Sequence, residues 1–367
     1  MIDVAVLAGG RSAEHDISLS SAVQVASMLD RDRFRPWPVF LDRQGLWWIP
    51  ERPLGPGEEP PPGFLDAGAR ALRPGAALDR LLDLGIDVVF PVLHGAFGED
   101  GTVQALCELH DVPVVGSGSA ASAVAMDKIR TRECLTWWGI PMPKAYVGAS
   151  RAESADPEVE AERIAATVGF PCFLKMDLSG STTGVLRAER AADVASFLAA
   201  GRGIGWRFLA EAEVRGEEIS VGVLGNSDGE QLALPPIGIY PRHDAYFTRH
   251  AKYTPGASEE VVPPLGLDAA AIERVQQLAL RCHRALQCDG MSRTDMIVGC
   301  DGPVVLEVNT IPGMTRTSLL PQCARAAGID FAALLARLVD LALAKRPHPL
   351  AARRSAARVG SGHSGAP

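Results

Sequence analysis

The sequence predicts a protein of mixed α/β and α+β class, on three observations. Between residue 2 and about 118, apolar strand-like runs alternate with helical periodicity, and glycines stand at the carboxyl ends of the runs. That order favours an open parallel sheet flanked by helices, a Rossmann-like half domain whose ligands bind beyond the strands' carboxyl ends. Further on, helices and short strands surround a glycine- and hydroxyl-rich loop at 179–184. Finally, SRTDMIVGCDGPVVLEVN (292–309) holds two strand-like runs around a Cys300-Asp301-Gly302 turn signal, as an antiparallel hairpin would.

Residues 2–8 (IDVAVLA) are continuously apolar, as a strand buried on both faces requires, and Gly9-Gly10 ends them. A helix over 18–29 and a strand over 38–41 follow, and the Pro/Gly-rich stretch 50–63 reads as a surface excursion. Residues 78–84 are helical, 87–93 (DVVFPVL) form a buried strand, and HGAFGEDG leads into a helix over 102–110. A short strand at 112–115 precedes Gly116-Ser117-Gly118. A second unit takes helices at 128–138, 158–168 and 191–200, with strands at 172–176, 184–187 and 208–213. A third takes strand 218–224, a long polar loop at 240–261, helix 268–286 and the hairpin. In the longest apolar stretch, 329–344, Phe331, Leu334, Leu335, Leu338, Val339 and Ala342 recur at helical spacing among charged residues. It is an amphipathic helix on a core, not a membrane span. The expected division is 1–125, 126–217 and 218–345, followed by a tail at 346–367 whose composition can bury little.

The 367 residues suffice for two or three domains with sizeable cores, and 47% hydrophobic with 22% charged residues is ordinary globular composition. A net charge of −8 argues against a nucleic-acid partner. Seven scattered cysteines without a C-x-x-C fit a reducing cytoplasm better than a disulfide framework. The opening MIDVAVLAGGRSAEHD lacks the basic-then-apolar order of a signal peptide. The expectation is a cytoplasmic protein with no membrane and no nucleic-acid partner.

The chemistry concentrates in the hairpin. Side chains two apart on a strand share a face, so Arg293 pairs with Asp295 and Glu307 with Asn309 in direction. A three-residue loop with Gly302 left-handed would set Gly299 opposite Pro303. Asp295 would then face Glu307, and Arg293 would face Asn309; a two-residue loop would break that register. Two carboxylates and an amide oxygen suit Mg²⁺, although a solvated edge hairpin could carry the same residues. In the 179–184 loop, Gly180, Ser181 and Thr182 offer backbone and hydroxyl donors to phosphate, as any flexible hairpin tip also would. It is not a Walker A motif, because no Lys-Ser/Thr closes it. Lys175 ends an apolar strand, where an ammonium needs an anion or an outlet to the surface. Glu211, Glu213 and Glu218 are either ribose-binding acids or solvated ones. Lys252-Tyr253 sits in the long polar loop, a lid or surface decoration. Ser318 opens a helix, as its cap or as part of an anion site. Glu14 stands at a helix start, able to cap it or to face a substrate ammonium, and His94 is scaffold or catalyst. Together these features fit one nucleotide reaction.

GGRSAEHDISLSSA, LHGAFGEDGTVQALCE, GSGSAASAVAMDK, the 175–184 segment, AKY at 251–253 and LEVNTIPGMTRTSLLP stand in order along the chain. Together they resemble the D-alanine–D-alanine ligases of the ATP-grasp superfamily, from residue 2 to about 345. The resemblance implies a Rossmann-like N-terminal half domain followed by a two-lobed ATP-grasp fold. It implies an ADP-forming ligase that makes D-alanyl-D-alanine for peptidoglycan through an acyl phosphate. Carried over by motif, Glu14 holds the first ammonium with His94 nearby, and Ser181 links the loop to substrate. Lys128, Lys175 and Lys252 neutralise ATP phosphates, Gly180 and Thr182 belong to the phosphate loop, and Glu211 and Glu218 belong to the nucleotide site. Asp295, Glu307 and Asn309 hold two Mg²⁺, replaceable by Mn²⁺. Arg293 and the Gly313 N–H stabilise the oxyanion, Ser318 binds the second carboxylate, and Tyr253 closes the lid. D-alanine and ATP are the implied ligands and a homodimer the implied assembly. A D-alanine–D-serine or D-alanine–D-lactate ligase, or a catalytically silent ATP-grasp regulator, are the alternatives. This chain departs from the family pattern at Met176, Thr182, Ala212 and Thr248-Arg249-His250, which touch ATP closure and lid packing. A dinucleotide-dependent oxidoreductase is disfavoured because Gly9-Gly10-Arg11-Ser12 lacks G-x-G-x-x-G.

Overall fold

The computed structural model describes residues 1–148, 156–177, 184–200, 207–242 and 256–345. Its first sheet is built from β1 (Ile2–Gly9), β2 (Phe34–Leu41), β3 (Trp47–Ile49), β4 (Arg70–Leu72) and β5 (Val88–Pro91), in the order β4-β3-β2-β1-β5. β1 runs parallel to both β2 and β5, with Ile2 opposite Phe34 and Val4 opposite Val88. The helices α1 (His15–Met28), α2 (Pro74–Asp83) and α3 (Thr102–Leu109) complete the expected parallel half domain. Two expectations for this half domain are corrected. The 50–63 stretch is not wholly a surface excursion: antiparallel β3 and β4 flank it, and Leu54 within it and Phe64 just after it are buried in the core. The strand at 112–115 shrinks to one parallel bridge between Val89 and Val114. Pro113 accepts from the Val89 N–H but has none of its own to donate, which limits the ladder.

An alanine-rich helix, α4 (Ser119–Met126), precedes α5 (Lys128–Trp137). Asp127 caps α5 by accepting from the Arg130 N–H at 2.8 Å, so the cap fixes where the Lys128 side chain begins. The second sheet comprises β6 (Ala145–Val147), β7 (Cys172–Met176), β8 (Val185–Ala188) and β9 (Phe208–Ala212), ordered β6-β9-β7-β8 and antiparallel throughout. With α6 (Pro157–Thr167) and α7 (Ala191–Ala200) it encloses its own core around Ile164, Leu174, Phe197, Leu198 and Phe208.

The third sheet has β10 (Glu217–Leu224), β11 (Leu232–Ala233), β12 (Ile237–Pro241), β13 (Ser258–Val261), β14 (Met291–Gly299) and β15 (Gly302–Asn309). Its order is β13-β12-β10-β14-β15, with β11 paired to β10. The helix α8 (Ala269–Ala285) packs on it through Val275, Leu278 and Cys282. Two shorter helices, α9 (Leu319–Ala326) and α10 (Phe331–Leu343), follow. The apolar stripe of α10 (Leu334, Leu335, Leu338, Val339) is buried in one cluster with Val4, Val6 and Phe34 of the first sheet and Leu224 and Met291 of the third. The first sheet and the last described helix therefore share a core. Among the described residues no helix is long and apolar enough to cross a membrane.

Candidate active site

The hairpin pairs as expected at the residues that matter, for a different reason. Gly299 pairs with Gly302, so the loop is Cys300-Asp301, two residues rather than three. From that end Val298 faces Pro303, Ile297 faces Val304 and Met296 faces Val305. An irregularity between Asp295 and Met296 then leaves Leu306 as one extra residue on β15, and beyond it Asp295 faces Glu307 and Arg293 faces Asn309. The bulge also explains how Val305 is buried in the core with Met296 while Glu307, two residues on, lines a cleft. A strictly alternating strand could not do both.

Asp295 is held from three sides. Arg293 donates to it through Nε at 2.7 Å and Nη2 at 2.6 Å, Ser220 Oγ donates at 2.5 Å, and Asn309 Nδ2 at 3.2 Å. Burial works against the Arg293 charge, but Asp295, and more weakly Glu307 and Glu99, outweigh it and keep the guanidinium protonated. Gly222 lies opposite Arg293 on β10, where an added Cβ would come within 2.5 Å of Leu320 Cδ1. A side chain there would have to displace the ends of Leu320 and Leu234.

Two clefts meet at this hairpin. The first, of about 290 Å³, is lined by Glu14, His94, Glu99, Lys128, Glu260, Arg293, Glu307, Asn309, Gly313 and Ser318, among others. Glu14 is the N-cap residue of α1, yet its side chain makes no capping bond. His94 is buried just past β5, and its carbonyl accepts from Ser12 Oγ at 2.6 Å. Ser318 is the N-cap residue of α9, but its Oγ accepts from the Thr315 N–H at 3.1 Å and bonds Thr315 Oγ1 at 2.7 Å instead of capping. Gly313 stands so close that a Cβ there would meet Ser318 Oγ at 2.8 Å.

The second cleft, of about 140 Å³, lies between the second and third sheets and is lined by Lys128, Phe173, Lys175, Glu211, Glu218, Asp295, Leu306 and Glu307, among others. Lys128, Leu306 and Glu307 belong to both clefts. Glu211 is 2% exposed and takes Lys175 Nζ at 2.6 Å and Arg132 Nη1 at 3.4 Å. Its carboxylate thus serves first as the lysine's counter-ion, while Glu218 lines the cleft on β10. Burial opposes the Lys175 charge, but Glu211, Glu307 and Glu218 together lift it above its ordinary value. Lys128 goes the other way: burial pushes it down, Glu307 opposes that, and Lys175 adds to it. Beneath it, Arg207 Nη2 bridges Asp127 Oδ2 at 3.1 Å and Asp177 Oδ2 at 2.9 Å. Burial and Asp127 push Asp177 up to about 6 in spite of that arginine.

Gly180, Ser181, Thr182, Lys252 and Tyr253 lie outside the described residues. The structure adds Glu99, Arg132, Ser220, Glu260 and Leu306, none of which was singled out in the sequence. Glu99 had a signal, since it belongs to HGAFGEDG and its Oε2 accepts from the Gly95 N–H at 2.6 Å. Leu306 had none, because a bulge leaves no local mark in an apolar strand.

Comparison with known proteins accords with this arrangement. The family model described as D-ala D-ala ligase N-terminus matches residues 3–117, and that described as D-ala D-ala ligase C-terminus matches 134–340. A D-alanine–D-alanine ligase from Mycolicibacterium smegmatis is 38% identical over 362 residues, spanning 93% of this chain and 95% of its own. Among solved structures, the VanG D-Ala:D-Ser ligase from Enterococcus faecalis aligns with a TM-score of 0.77 at 29% identity, over 93% of this chain and 99% of that one. The D-alanine–D-alanine ligase from Bacillus anthracis complexed with ATP aligns with a TM-score of 0.70 at 28% identity, over 97% of this chain and 100% of that one. The chain belongs to the D-alanine–D-alanine ligase family.

Proposed function

We propose that this chain is an ATP-dependent, ADP-forming ligase that joins two D-alanines into D-alanyl-D-alanine for peptidoglycan synthesis. The observation that carries the reading is the wall common to both clefts, Lys128, Leu306 and Glu307. A nucleotide in the smaller cleft and amino acids in the larger would meet there, where a phosphoryl group must reach a carboxylate. The first D-alanine is taken up with its ammonium at Glu14 and His94 nearby. The second places its carboxylate at Ser318 and the N-terminus of α9, whose free N–H groups favour an anion. Arg293, fixed by its bidentate pair with Asp295, and the Gly313 N–H face the oxyanion that forms when the amine attacks the acyl phosphate. One such preorganised donor is worth roughly 3–4 kcal/mol in other enzymes. Lys128 and Lys175 offer ammonium groups to the phosphates. Lys128, depressed by burial and by Lys175, gains most from a polyanion.

Asp295, Glu307 and Asn309 fit Mg²⁺ by donor chemistry, since two carboxylates and an amide share one face of the hairpin. They would hold two ions, with Mn²⁺ able to replace them, and bound metal would neutralise phosphate charge and orient the nucleotide. By family motif, Gly180, Ser181 and Thr182 cover the phosphates, Glu211 and Glu218 serve the nucleotide end, and Lys252 and Tyr253 close over the substrates. Units at 1–125, 126–217 and 218–345, a tail at 346–367, a homodimeric state and a cytoplasmic location complete the reading. A coupled assay of ADP release with D-alanine, D-serine and D-lactate tests it. Release that requires D-alanine and Mg²⁺ is the expected result. Release only with D-serine or D-lactate as partner would reassign the second substrate, and no release with any would favour a silent regulator.

A further inference from the structure

The first cleft contains a carboxylate for which the reaction above has no use. Glu260 lies on β13 opposite Ile239, and it lines the cleft together with Arg293, Gly313 and Ser318. Gln322 on α9 donates its amide to Glu260 Oε2, and the same nitrogen is anchored on the Thr317 carbonyl at 2.8 Å. Burial holds the Glu260 carboxyl above its ordinary range, against the Gln322 hydrogen bond and the more distant Arg293 charge. A half-buried carboxylate with an amide for its neighbour is expensive unless a cation completes it.

The other cleft carboxylates have their tasks. Glu307 faces Asp295 across the hairpin, Glu99 accepts from Gly95, and Glu14 stands across the cleft at the start of α1. Glu260 sits instead at the α9 end. Ser318 and Gln322 are one helical turn apart, joined by the Gln322 N–H to Ser318 carbonyl bond at 3.1 Å. They therefore share a face of the helix. An α-amino acid carries its ammonium and its carboxylate on one carbon, so their anchors must be close neighbours. Ser318 and the Gln322-held Glu260 are such neighbours.

We infer that Glu260 receives the ammonium group of the second amino acid, takes up the proton that this group must lose before its nitrogen attacks, and thereby favours an amino acid over a hydroxy acid at that position. The inference rests on the ligase reading and deepens it. D-Lactate has the same carboxylate and methyl group as D-alanine but a neutral hydroxyl, so it would gain nothing from the Glu260 charge.

Glu260→Gln keeps the shape and the Gln322 contact while removing the charge. Steady-state dipeptide synthesis should show the KM for the second D-alanine raised roughly ten-fold or more, the range of one charge-assisted hydrogen bond. The KM values for the first D-alanine and for ATP should stay unchanged. The apparent affinity of D-lactate, read as inhibition of dipeptide synthesis or as depsipeptide formed, should also stay unchanged, so the D-alanine to D-lactate ratio falls. Glu260→Asp, which keeps the charge, should retain most of the preference. An unchanged ratio in Glu260→Gln, or equal loss for both substrates in a variant of unaltered melting temperature, overturns the inference. Should the unaltered chain release no ADP with D-alanine, it is the ligase reading that fails.

Discussion

The 290 Å³ cleft is walled on one side by α1, the segment after β5 and the start of α9, which share one hydrophobic core, and on the other by α5 and β15 of the third sheet's core, whereas the 140 Å³ cleft lies between two sheets with separate cores. Ala22 and Val25 of α1, Val92 beside His94, and Met314 and Leu320 near Ser318 all belong to the cluster that α10 completes. Around the smaller cleft, Leu174 and Phe208 pack within the second sheet's core, while Val221 and Met296 pack within the third's. α5 belongs to the latter core through Leu135, and its ties to the second sheet are polar: Arg132 to Glu211 and Asp127 to Arg207. Apolar burial is non-directional and lost only by opening the core. Ion pairs are weaker, screened by salt and able to re-form in another geometry. The contrast teaches that the larger cleft, proposed above for the amino acids, is built largely into the body of the protein, and the smaller one, proposed for the nucleotide, is assembled across a seam.

The most severe way to test this is at the shared wall. Glu307→Ala should reduce turnover on the order of 10³-fold or more, as losses of preorganised electrostatic groups do, and leave the melting temperature nearly unchanged. Retained turnover would mean that the reaction does not pass over the wall the two clefts share. Leu335→Ala, in the shared core, should cost about 2–5 kcal/mol and lower amide-exchange protection in both the first and third sheets. Leu198→Ala, in the separate core, should lower protection chiefly within 145–212; equal loss in all three sheets would refute the seam. Glu211→Gln leaves Lys175 without its closest counter-ion, so the KM for ATP should rise roughly ten-fold while both D-alanine KM values hold. A change in the D-alanine values instead would show that the ends are mechanically coupled.

The smallest expected effect is in pH. His283 is buried between Ser292 Oγ at 2.7 Å and the Gly225 carbonyl at 3.1 Å, and burial pushes it down to about 4 from 6.5. Between those values the unfolded chain binds more protons, so this group's stabilisation of the third sheet is full above 6.5 and lost as pH falls towards 4. Asp177, pushed up to about 6 from 3.8, has the opposite sign: the folded state binds more protons, and stability falls as pH rises between those values. Urea unfolding of Asp177→Asn against pH should therefore remove a downward slope between about 4 and 6. An unchanged slope would show that the Asp127–Arg207–Asp177 cluster does not resist that charge.

The same contrast governs what was legible in the chain. The parallel half domain, the amphipathic α10 and the strand that carries Lys175 follow from periodicity and glycine placement, which act between near neighbours. The facing of Asp295 and Glu307 was also legible, yet the hairpin reaches it by a two-residue loop and a Leu306 bulge, two irregularities that cancel. No local rule signals that cancellation, because the bulge answers to Val305 and Met296 entering the core. Ser318 was legible as a helix start, but its hydroxyl is engaged by Thr315. Glu260 fell within a stretch read only as polar loop, and its meaning depends on β13 lying against α9.

By itself, then, the sequence determined the fold class, the order of the elements and the chemical types of the site residues, because strand alternation, helix periodicity and motif spacing are written along the chain. Only the tertiary structure decided which polar groups meet: Glu211 with Lys175, Asp127 with Arg207, Glu260 with Gln322, and the two clefts at Lys128, Leu306 and Glu307. Those meetings are set by how separate sheets and helices bury their apolar faces. Residues far apart in the chain, such as the Arg316 N–H and Gln24 Oε1 at 2.8 Å, become neighbours only when that burial is complete.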